Sequence, residues 1–261
     1  MHFGLSEEQQ LLQETLRAFV AGECPPARLR ELFDAGEGHD AALWKGLAEM
    51  GICGLCVPET YGGAGLGVLE LALCCEELGS GALPGPLFAH SLACLAIATA
   101  GSDAQRERWL PGLASGELLG SVALGETGEC WDPSEWSLAL GPEGLSGLKP
   151  QVPFAEVADL LVVGVAGGGL ALVERGAAGV GVKPVAGVDR TRPVGDVVFE
   201  ATPAEIMPGG EAAAPLVRDA GLAALAADAF GAAWALTRMT VEYAKTRQQF
   251  GRSIAEFQAV K

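Results

Sequence analysis

The sequence predicts an α+β fold in which helical segments precede and follow a small antiparallel β-domain. Apolar residues recur at helical spacing through the first 117 residues, and short Val- and Leu-rich runs between Gly and Pro residues follow to about residue 203. Helical spacing returns near Glu211. We therefore expect an N-terminal all-helical domain over residues 1–117, a β-domain over residues 118–203 and the start of a C-terminal helical bundle over residues 204–261.

Capping signals and apolar spacing define the helices of the first domain. Ser6 and Gln9 have the spacing of a capping box, so a first helix begins there. Pro25 and Pro26 end that helix, because proline lacks the N–H that a helix interior needs. The further helices that the pattern predicts cover residues 27–35, 40–50, 68–78, 86–100 and 103–114.

The middle of the chain has the composition of strands. Runs of Val and Leu are bounded there by Gly and Pro, which favour turns between short strands. The predicted strands cover residues 120–124, 137–140, 160–165, 170–173, 180–185 and 196–199.

The C-terminal pattern predicts one long helix and the start of another. The long helix begins near Glu211, and Gly251 suits its end because glycine readily adopts a left-handed conformation. Ser253 and Glu256 then have the spacing of a capping box for a second helix. Only about two turns of that helix precede Lys261, so we expect the bundle to be incomplete.

The charge balance and the N-terminus exclude several function classes. A formal net charge of −16 over 261 residues argues against binding to nucleic acid or to anionic membranes. The N-terminal residues are acidic and lack the basic and then apolar pattern of a targeting segment. The most apolar run, residues 222–236, is interrupted by Asp228 and is too short for a bilayer, so no membrane span is expected.

Seven cysteines are scattered through apolar stretches, which predicts buried, unbridged thiols in a reducing compartment, the cytoplasm. Cys53 and Cys56 form a C-x-x-C pair, but no second pair or neighbouring histidine supports a metal or redox site. The seven are Cys24, Cys53, Cys56, Cys74, Cys75, Cys94 and Cys130.

Two motifs carry a resemblance to a known family. Residues 247–258 read R-Q-Q-F-G-R-S-I-A-E-F-Q, and residues 51–65 read G-I-C-G-L-C-V-P-E-T-Y-G-G-A-G. Both resemble acyl-CoA dehydrogenase signatures, and the resemblance extends over the whole chain. It implies that Arg247, Phe250 and Gln258 contact FAD, largely that of a neighbouring subunit. Without it, the C-terminal segment reads as an ordinary helix-turn-helix with an Arg near a helix end.

The resemblance also implies the reaction and its partners. A Glu carboxylate of the family removes an α-proton from an acyl-CoA thioester, and the β-hydrogen leaves as hydride to FAD. The implied protein is an oxidoreductase of fatty acid or other lipid metabolism that forms homo- or hetero-oligomers, dimers or tetramers. An electron-transfer flavoprotein is the implied electron acceptor.

In the β-domain the flavin-lining segments of the family are altered. Leu124, Gly125 and Glu126 match the family's x-T-E, with Gly125 in place of the Thr, and Val152 and Pro153 fall where the family has Ile and Thr. Two side-chain hydrogen bonds to the flavin are therefore missing, although these five residues remain the implied contacts. The divergence resembles a branch that includes subunits of heteromeric enzymes acting on bulky acyl groups.

The catalytic carboxylate of the family has no counterpart in the sequence. In most members it lies well beyond the R-x-x-F-G segment, and in a minority it lies about seven turns before the motif Arg, where this chain has Gly221. Asp219 falls on a different helix face, and Glu211 and Glu242 read as solvated residues. We therefore expect the base to lie beyond Lys261 and residues 1–261 alone to be inactive.

Three functions remain open at this point. The first is a flavin-dependent acyl-CoA dehydrogenase, and the second is a non-catalytic subunit that completes a partner's flavin site. The third is a related flavin oxidase. A Glu in a later part of the reading frame would favour the first over the second, and the reactivity of the flavin toward oxygen would identify the third.

Overall fold

The computed structural model describes residues 4–36, 38–128 and 130–261. Within them the α-helices are α1 Glu7–Glu23, α2 Pro26–Ala35, α3 Ala41–Glu49, α4 Val68–Ser80, α5 Leu87–Ala100, α6 Asp103–Ala114 and α7 Gly210–Thr246. The strands are β1 Gly120–Ala123, β2 Leu140–Gly141, β3 Gly144–Pro153, β4 Leu160–Val165, β5 Gly169–Glu174, β6 Val180–Val185, β7 Val194–Thr202, β8 Glu205–Ile206, β9 Gln248–Gln249 and β10 Arg252–Ser253.

The capping signals of the first segment act as the sequence predicts. The hydroxyl of Ser6 accepts a hydrogen bond from the Gln9 N–H at 3.2 Å, and the Gln9 side chain accepts one from the Ser6 N–H at 3.0 Å. Asp40 caps α3 by accepting from the N–H groups of Ala42 and Leu43. These local hydrogen bonds satisfy helix ends without help from tertiary structure, which is why the sequence could indicate the Ser6 capping box.

The strands form two four-stranded sheets with the orders β1-β4-β5-β8 and β2-β3-β7-β6. The predicted fold class is confirmed, with one departure from an antiparallel arrangement: β1 pairs parallel with β4, from Gly120 opposite Leu160 to Ala123 opposite Val163. A parallel pair needs a long connection. Here the chain leaves β1, forms β2 and β3 in the other sheet, and returns to β4 in the same direction.

Two strand predictions need correction. Of the predicted strand 137–140, only Leu140 enters a ladder, as part of β2. The Ser137 N–H instead donates to the carboxylate of Glu126 at 3.1 Å. Strand β3 was not predicted, because glycines, prolines and two register shifts interrupt its alternation. Gln151 adopts a left-handed φ of 52° in the second shift.

Helices α4 and α7 pack closely through glycine. A Cβ atom on Gly231 would lie 1.9 Å from the carbonyl oxygen of Glu76, and one on Gly79 would lie 2.2 Å from the carbonyl oxygen of Asp228. Neither distance is sterically possible, so both positions require glycine for the two backbones to approach. This contact fixes α7 against the N-terminal helices.

The end of α7 differs from the prediction. The helix ends at Thr246, and the following residues form the β9–β10 hairpin, in which Phe250 and Gly251 have φ values of 53° and 80°. Gly251 thus serves a hairpin turn that requires two left-handed residues, not a helix end. The Ser253 hydroxyl donates to the Ala244 carbonyl at 3.2 Å, so the predicted capping box does not form.

The exposed side of α7 is apolar. Among the described helices, α7 alone is long and apolar enough to cross a membrane by length and composition, a test that core helices of soluble proteins also pass. Most of its second half lies at the surface. The large apolar side chains exposed on α7 are Leu216, Leu222, Leu225, Phe230, Trp234, Leu236, Met239, Val241 and Tyr243.

Candidate functional site

A cavity of about 470 Å³ lies where the first half of α7 meets α5 and the ends of β1 and β3. We call it the front cavity. Leu124 and Gly125 follow β1 directly and Pro153 ends β3, so three residues that the sequence analysis selected converge here. Its lining residues are Phe88, Leu92, Val122, Leu124, Gly125, Trp131, Pro150, Gln151, Pro153, Arg218, Gly221, Leu222 and Leu225.

Glu126 faces away from the front cavity into a buried ion pair. Its carboxylate accepts from the Lys149 ammonium at 2.6 Å and from the Ser137 hydroxyl at 2.8 Å, and the Lys149 side chain is completely buried. Burial would raise the pKa of Glu126, but the hydrogen bonds from Lys149 and Ser137 outweigh it, and the pKa lies below its usual range. The Glu126 N–H donates to the Cys130 carbonyl, so neither group is free for a ligand.

Val152 also lies outside the front cavity. Its side chain is buried in the core, and the neighbouring Gln151 lines the cavity in its place. The left-handed backbone of Gln151 marks the β-bulge that exchanges the two residues. A β-bulge leaves little trace in a sequence, so alignment to a motif could not show which of the two neighbours lines the cavity.

Trp131 and Arg218 are lining residues that the sequence analysis did not select. A Cβ atom on Gly125 would lie 3.4 Å from the Trp131 ring, which therefore stands beside the position where the family carries a Thr. Arg218 donates to Asp132 at 3.3 Å and to Asp219 at 2.8 Å, and thereby ties α7 to the loop that carries Trp131. Its position three residues before Gly221, about one helical turn, was the signal available in the sequence.

The described lining of the front cavity contains no carboxylate. A Cβ atom on Gly221 would lie 3.2 Å from a Leu92 methyl group, so even a small side chain there would press on α5. Asp219 is exposed and is paired with Arg218. The surroundings of Gly221 therefore agree with the expectation that this position does not supply a base.

Arg247, Phe250 and Gln258 lie at the other end of α7. Gly221 and Arg247 are 26 residues apart, which corresponds to about 39 Å along a helix. All three motif residues are exposed, and Phe250 is 92% exposed with its ring edge-on to Phe257. One chain therefore presents its two groups of predicted cofactor contacts at well-separated places.

The seven cysteines are free thiols, and all except Cys130 are buried. Burial raises the pKa of Cys53 to about 12 and that of Cys56 to about 11, so neither is a thiolate near neutral pH. In the described part of the chain, no group of three or more Cys, His, Asp or Glu residues has the arrangement of a metal site. The front cavity thus remains the main candidate for chemistry.

Comparison with known proteins identifies the family. The family model for the N-terminal domain of acyl-CoA dehydrogenases matches residues 6–117. Acyl-CoA dehydrogenase IpdE2 of Mycobacterium tuberculosis is 36% identical over 262 residues, an alignment that covers 98% of this chain and 69% of that protein. The chain belongs to the acyl-CoA dehydrogenase family.

Solved structures agree with this assignment. A Tcur3481–Tcur3483 steroid ACAD variant has a TM-score of 0.89 at 35% identity, covering 97% of this chain and 71% of that one. The ChsE4–ChsE5 complex from Mycobacterium tuberculosis has a TM-score of 0.89 at 31% identity, with coverages of 99% and 72%. An FAD complex of PigA has a TM-score of 0.81 at 26% identity, with coverages of 99% and 74%.

Proposed function

We propose that this chain forms part of an FAD-dependent acyl-CoA dehydrogenase that introduces an α,β double bond into an acyl-CoA thioester. One observation carries the proposal: the front cavity is largely apolar and lies where Leu124, Gly125 and Pro153 meet α5 and α7. An apolar cleft with few polar groups suits an acyl chain. FAD, when bound, supplies the hydride acceptor, and the chain supplies the walls that exclude water.

FAD fits the residues present, with fewer side-chain contacts than the family usually provides. Gly125 contributes backbone without a side chain at the front cavity, and Leu124 and Pro153 contribute apolar surface. At the far end of α7, Arg247 is exposed and makes no ion pair with a described residue. Its guanidinium is therefore available to a pyrophosphate. We assign Leu124, Gly125 and Pro153 to one flavin, and Arg247, Phe250 and Gln258 to the flavin of a neighbouring subunit.

The base for α-proton removal comes, in this proposal, from outside residues 1–261. General-base catalysis requires a carboxylate within hydrogen-bond reach of the proton that it removes. The described lining of the front cavity holds no carboxylate, and Glu126 is fully engaged by Lys149 and Ser137. In this proposal, a later segment of the reading frame or a partner subunit supplies it.

The lack of a carboxylate in the described lining of the front cavity also supports a second candidate, a non-catalytic subunit that completes a partner's flavin site. Arg247, Phe250 and Gln258 would then contact the partner's FAD while the front cavity of this chain stays without a base. Two of the similar structures, ChsE4–ChsE5 and Tcur3481–Tcur3483, each carry the names of two proteins. This favours a heteromeric assembly for this chain as well.

The proposal also includes an electron acceptor and a cellular location. We propose an electron-transfer flavoprotein as electron acceptor, because membership of the acyl-CoA dehydrogenase family implies one. We propose the cytoplasm as location because the seven thiols are unbridged.

Flavin reduction tests the proposed function. The protein from the complete reading frame is purified, loaded with FAD and mixed anaerobically with straight and branched acyl-CoA thioesters. Bleaching of the flavin by at least one thioester is expected for a dehydrogenase. Stable FAD binding without bleaching, followed by bleaching after a partner subunit is added, would contradict this and favour the non-catalytic subunit.

A further inference from the structure

A second, smaller compartment adjoins the front cavity. It has a volume of about 190 Å³, and it shares Phe88, Pro153 and Leu225 with the front cavity. We call it the rear compartment. Phe88 is half-buried and Leu225 is 49% exposed. Both side chains border both spaces, so a change of rotamer at either one would alter the boundary between them.

The rear compartment is apolar except for one ion pair. Arg192, in the loop before β7, donates to both carboxylate oxygens of Asp228 on α7, at 2.7 and 2.8 Å. Both residues line the compartment. The pair therefore places hydrogen-bonding groups in the wall of a space that is otherwise formed largely by side chains such as Leu78, Leu83 and Leu87.

Arg192 retains hydrogen-bonding capacity. A guanidinium carries five N–H donors, and Asp228 occupies two of them. Asp228 is the only hydrogen-bond partner of the Arg192 side chain among the described residues. A ligand in the rear compartment can therefore accept a hydrogen bond from Arg192 without breaking the ion pair.

The charge around Arg192 selects the kind of acceptor. The hydrogen bond with Asp228 raises the pKa of Arg192, and the carboxylate of Asp189 acts on it in the same direction from farther away. The guanidinium thus already has two carboxylates in its neighbourhood. A third carboxylate, on a ligand, would face like charges, whereas an uncharged oxygen would not.

We infer that the acyl group bound by this chain reaches past Phe88 and carries an uncharged hydrogen-bond acceptor, such as a ketone, that accepts from Arg192. The inference rests on the proposed function, because it assigns the front cavity to the acyl group. A purely structural role of the ion pair, holding the β7 loop on α7, explains the two hydrogen bonds but not why Arg192 keeps unused donors beside an apolar cavity.

The test compares three matched series of acyl-CoA thioesters of increasing length. The first series ends in an alkyl group, the second carries a ketone next to the terminal methyl group, and the third ends in a carboxylate. Calorimetric titration of the FAD-loaded protein from the complete reading frame gives the dissociation constants. At one or more chain lengths, we expect the ketone thioester to bind at least about tenfold more tightly than its alkyl counterpart. We expect the carboxylate thioester to show no such gain in affinity.

Two variants separate ligand binding from structural support. In Arg192→Met/Asp228→Asn, which leaves no unpaired charge, the preference for the ketone should disappear while alkyl thioesters bind as before. In Asp228→Asn, which keeps the guanidinium and removes its partner charge, affinity should shift toward the carboxylate series. A merely structural pair would change all three series together.

The results of this experiment distinguish a failure of the inference from a failure of the proposed function. If alkyl thioesters bind but no ketone is preferred at any length, the inference is overturned and the proposed function stands. If the carboxylate series binds most tightly to the unaltered protein, the inference that the acceptor is uncharged is wrong. If no thioester binds at all, the proposed function and this inference both fail.

Discussion

At the scale of single residues, Gly125 is a clear departure from the family motif in the lining of the front cavity. It stands where the family has Thr, its φ is not positive, and a Cβ there would meet only ordinary contacts, the nearest at 3.4 Å from Trp131. A Cβ atom is therefore sterically acceptable at this position.

We predict that Gly125→Thr tightens FAD binding. One restored hydrogen bond contributes about 1 kcal/mol, which corresponds to roughly a fivefold lower dissociation constant. Fluorescence titration with FAD measures the change. Gly125→Val is the matched control, since it has the shape of Thr without the hydroxyl. Equal affinities of the Thr and Val variants would show that no hydrogen bond is restored.

The buried pair of Glu126 and Lys149 predicts a pH-dependent stability. Glu126→Gln leaves the Lys149 ammonium without its partner charge, so the free energy of unfolding at neutral pH should fall by about 3–5 kcal/mol. The pKa of Glu126 is lowered in the folded protein. The stability that the carboxylate contributes is therefore present above its ordinary value of 4.5 and is lost as pH falls through the folded value.

Denaturant unfolding from pH 7 to pH 3 tests this coupling. The difference between the unaltered protein and Glu126→Gln should shrink below pH 4.5, because protonation removes the same charge that the substitution removes. Glu143→Gln, in the exposed turn between β2 and β3, is the control and should have little effect. If the difference in the free energy of unfolding between the two proteins did not vary with pH, Glu126 would not titrate as described.

Sequence reasoning recovered only part of the site at this scale. Leu124, Gly125 and Pro153 were selected by matching family motifs, and all three line the front cavity. Trp131 escaped selection because it reaches the cavity from a loop without a motif. Arg192 escaped because its partner Asp228 lies 36 residues away, and a contact at that separation leaves no local pattern.

At the scale of elements, the glycine contact between α4 and α7 is the least replaceable feature. We predict that Gly231→Ala lowers the free energy of unfolding by about 2–3 kcal/mol, because the added methyl group would overlap the Glu76 carbonyl and force the helices apart. Gly22→Ala in α1 is the control. A Cβ there meets nothing within 4 Å, so this change should be neutral or stabilising. Similar destabilisation by both substitutions would contradict the role of the contact.

Elements were predicted well where their signals are local. The bounds of α6, β4 and β6 coincide with the sequence analysis, because capping residues and uninterrupted apolar runs define them. The end of α7 was predicted near Gly251, but the helix ends at Thr246. Gly251 adopts the predicted left-handed conformation but uses it for a hairpin, and Ser253 bonds back to Ala244, a choice that depends on tertiary position.

At the scale of the whole molecule, the distance of about 39 Å between Gly221 and Arg247 argues for sites shared between chains. We predict that Arg247→Ala weakens FAD binding by the assembled protein about tenfold or more, since a hydrogen bond to a charged group is lost. Flavin content at limiting FAD measures this. The exposed Arg30→Ala is the control, and occupancy equal to that of the unaltered protein would exclude Arg247 from the site.

The described residues form the walls of the front cavity, and in the proposed function they do not supply its base. Anaerobic bleaching of FAD-reconstituted residues 1–261 by a panel of acyl-CoA thioesters tests this most directly. Positioned general-base catalysis contributes roughly 10²- to 10⁴-fold, so without the base we expect no bleaching on an enzymatic timescale. Rapid bleaching by any thioester would show that a base lies within residues 1–261 and would contradict the assignment of the site.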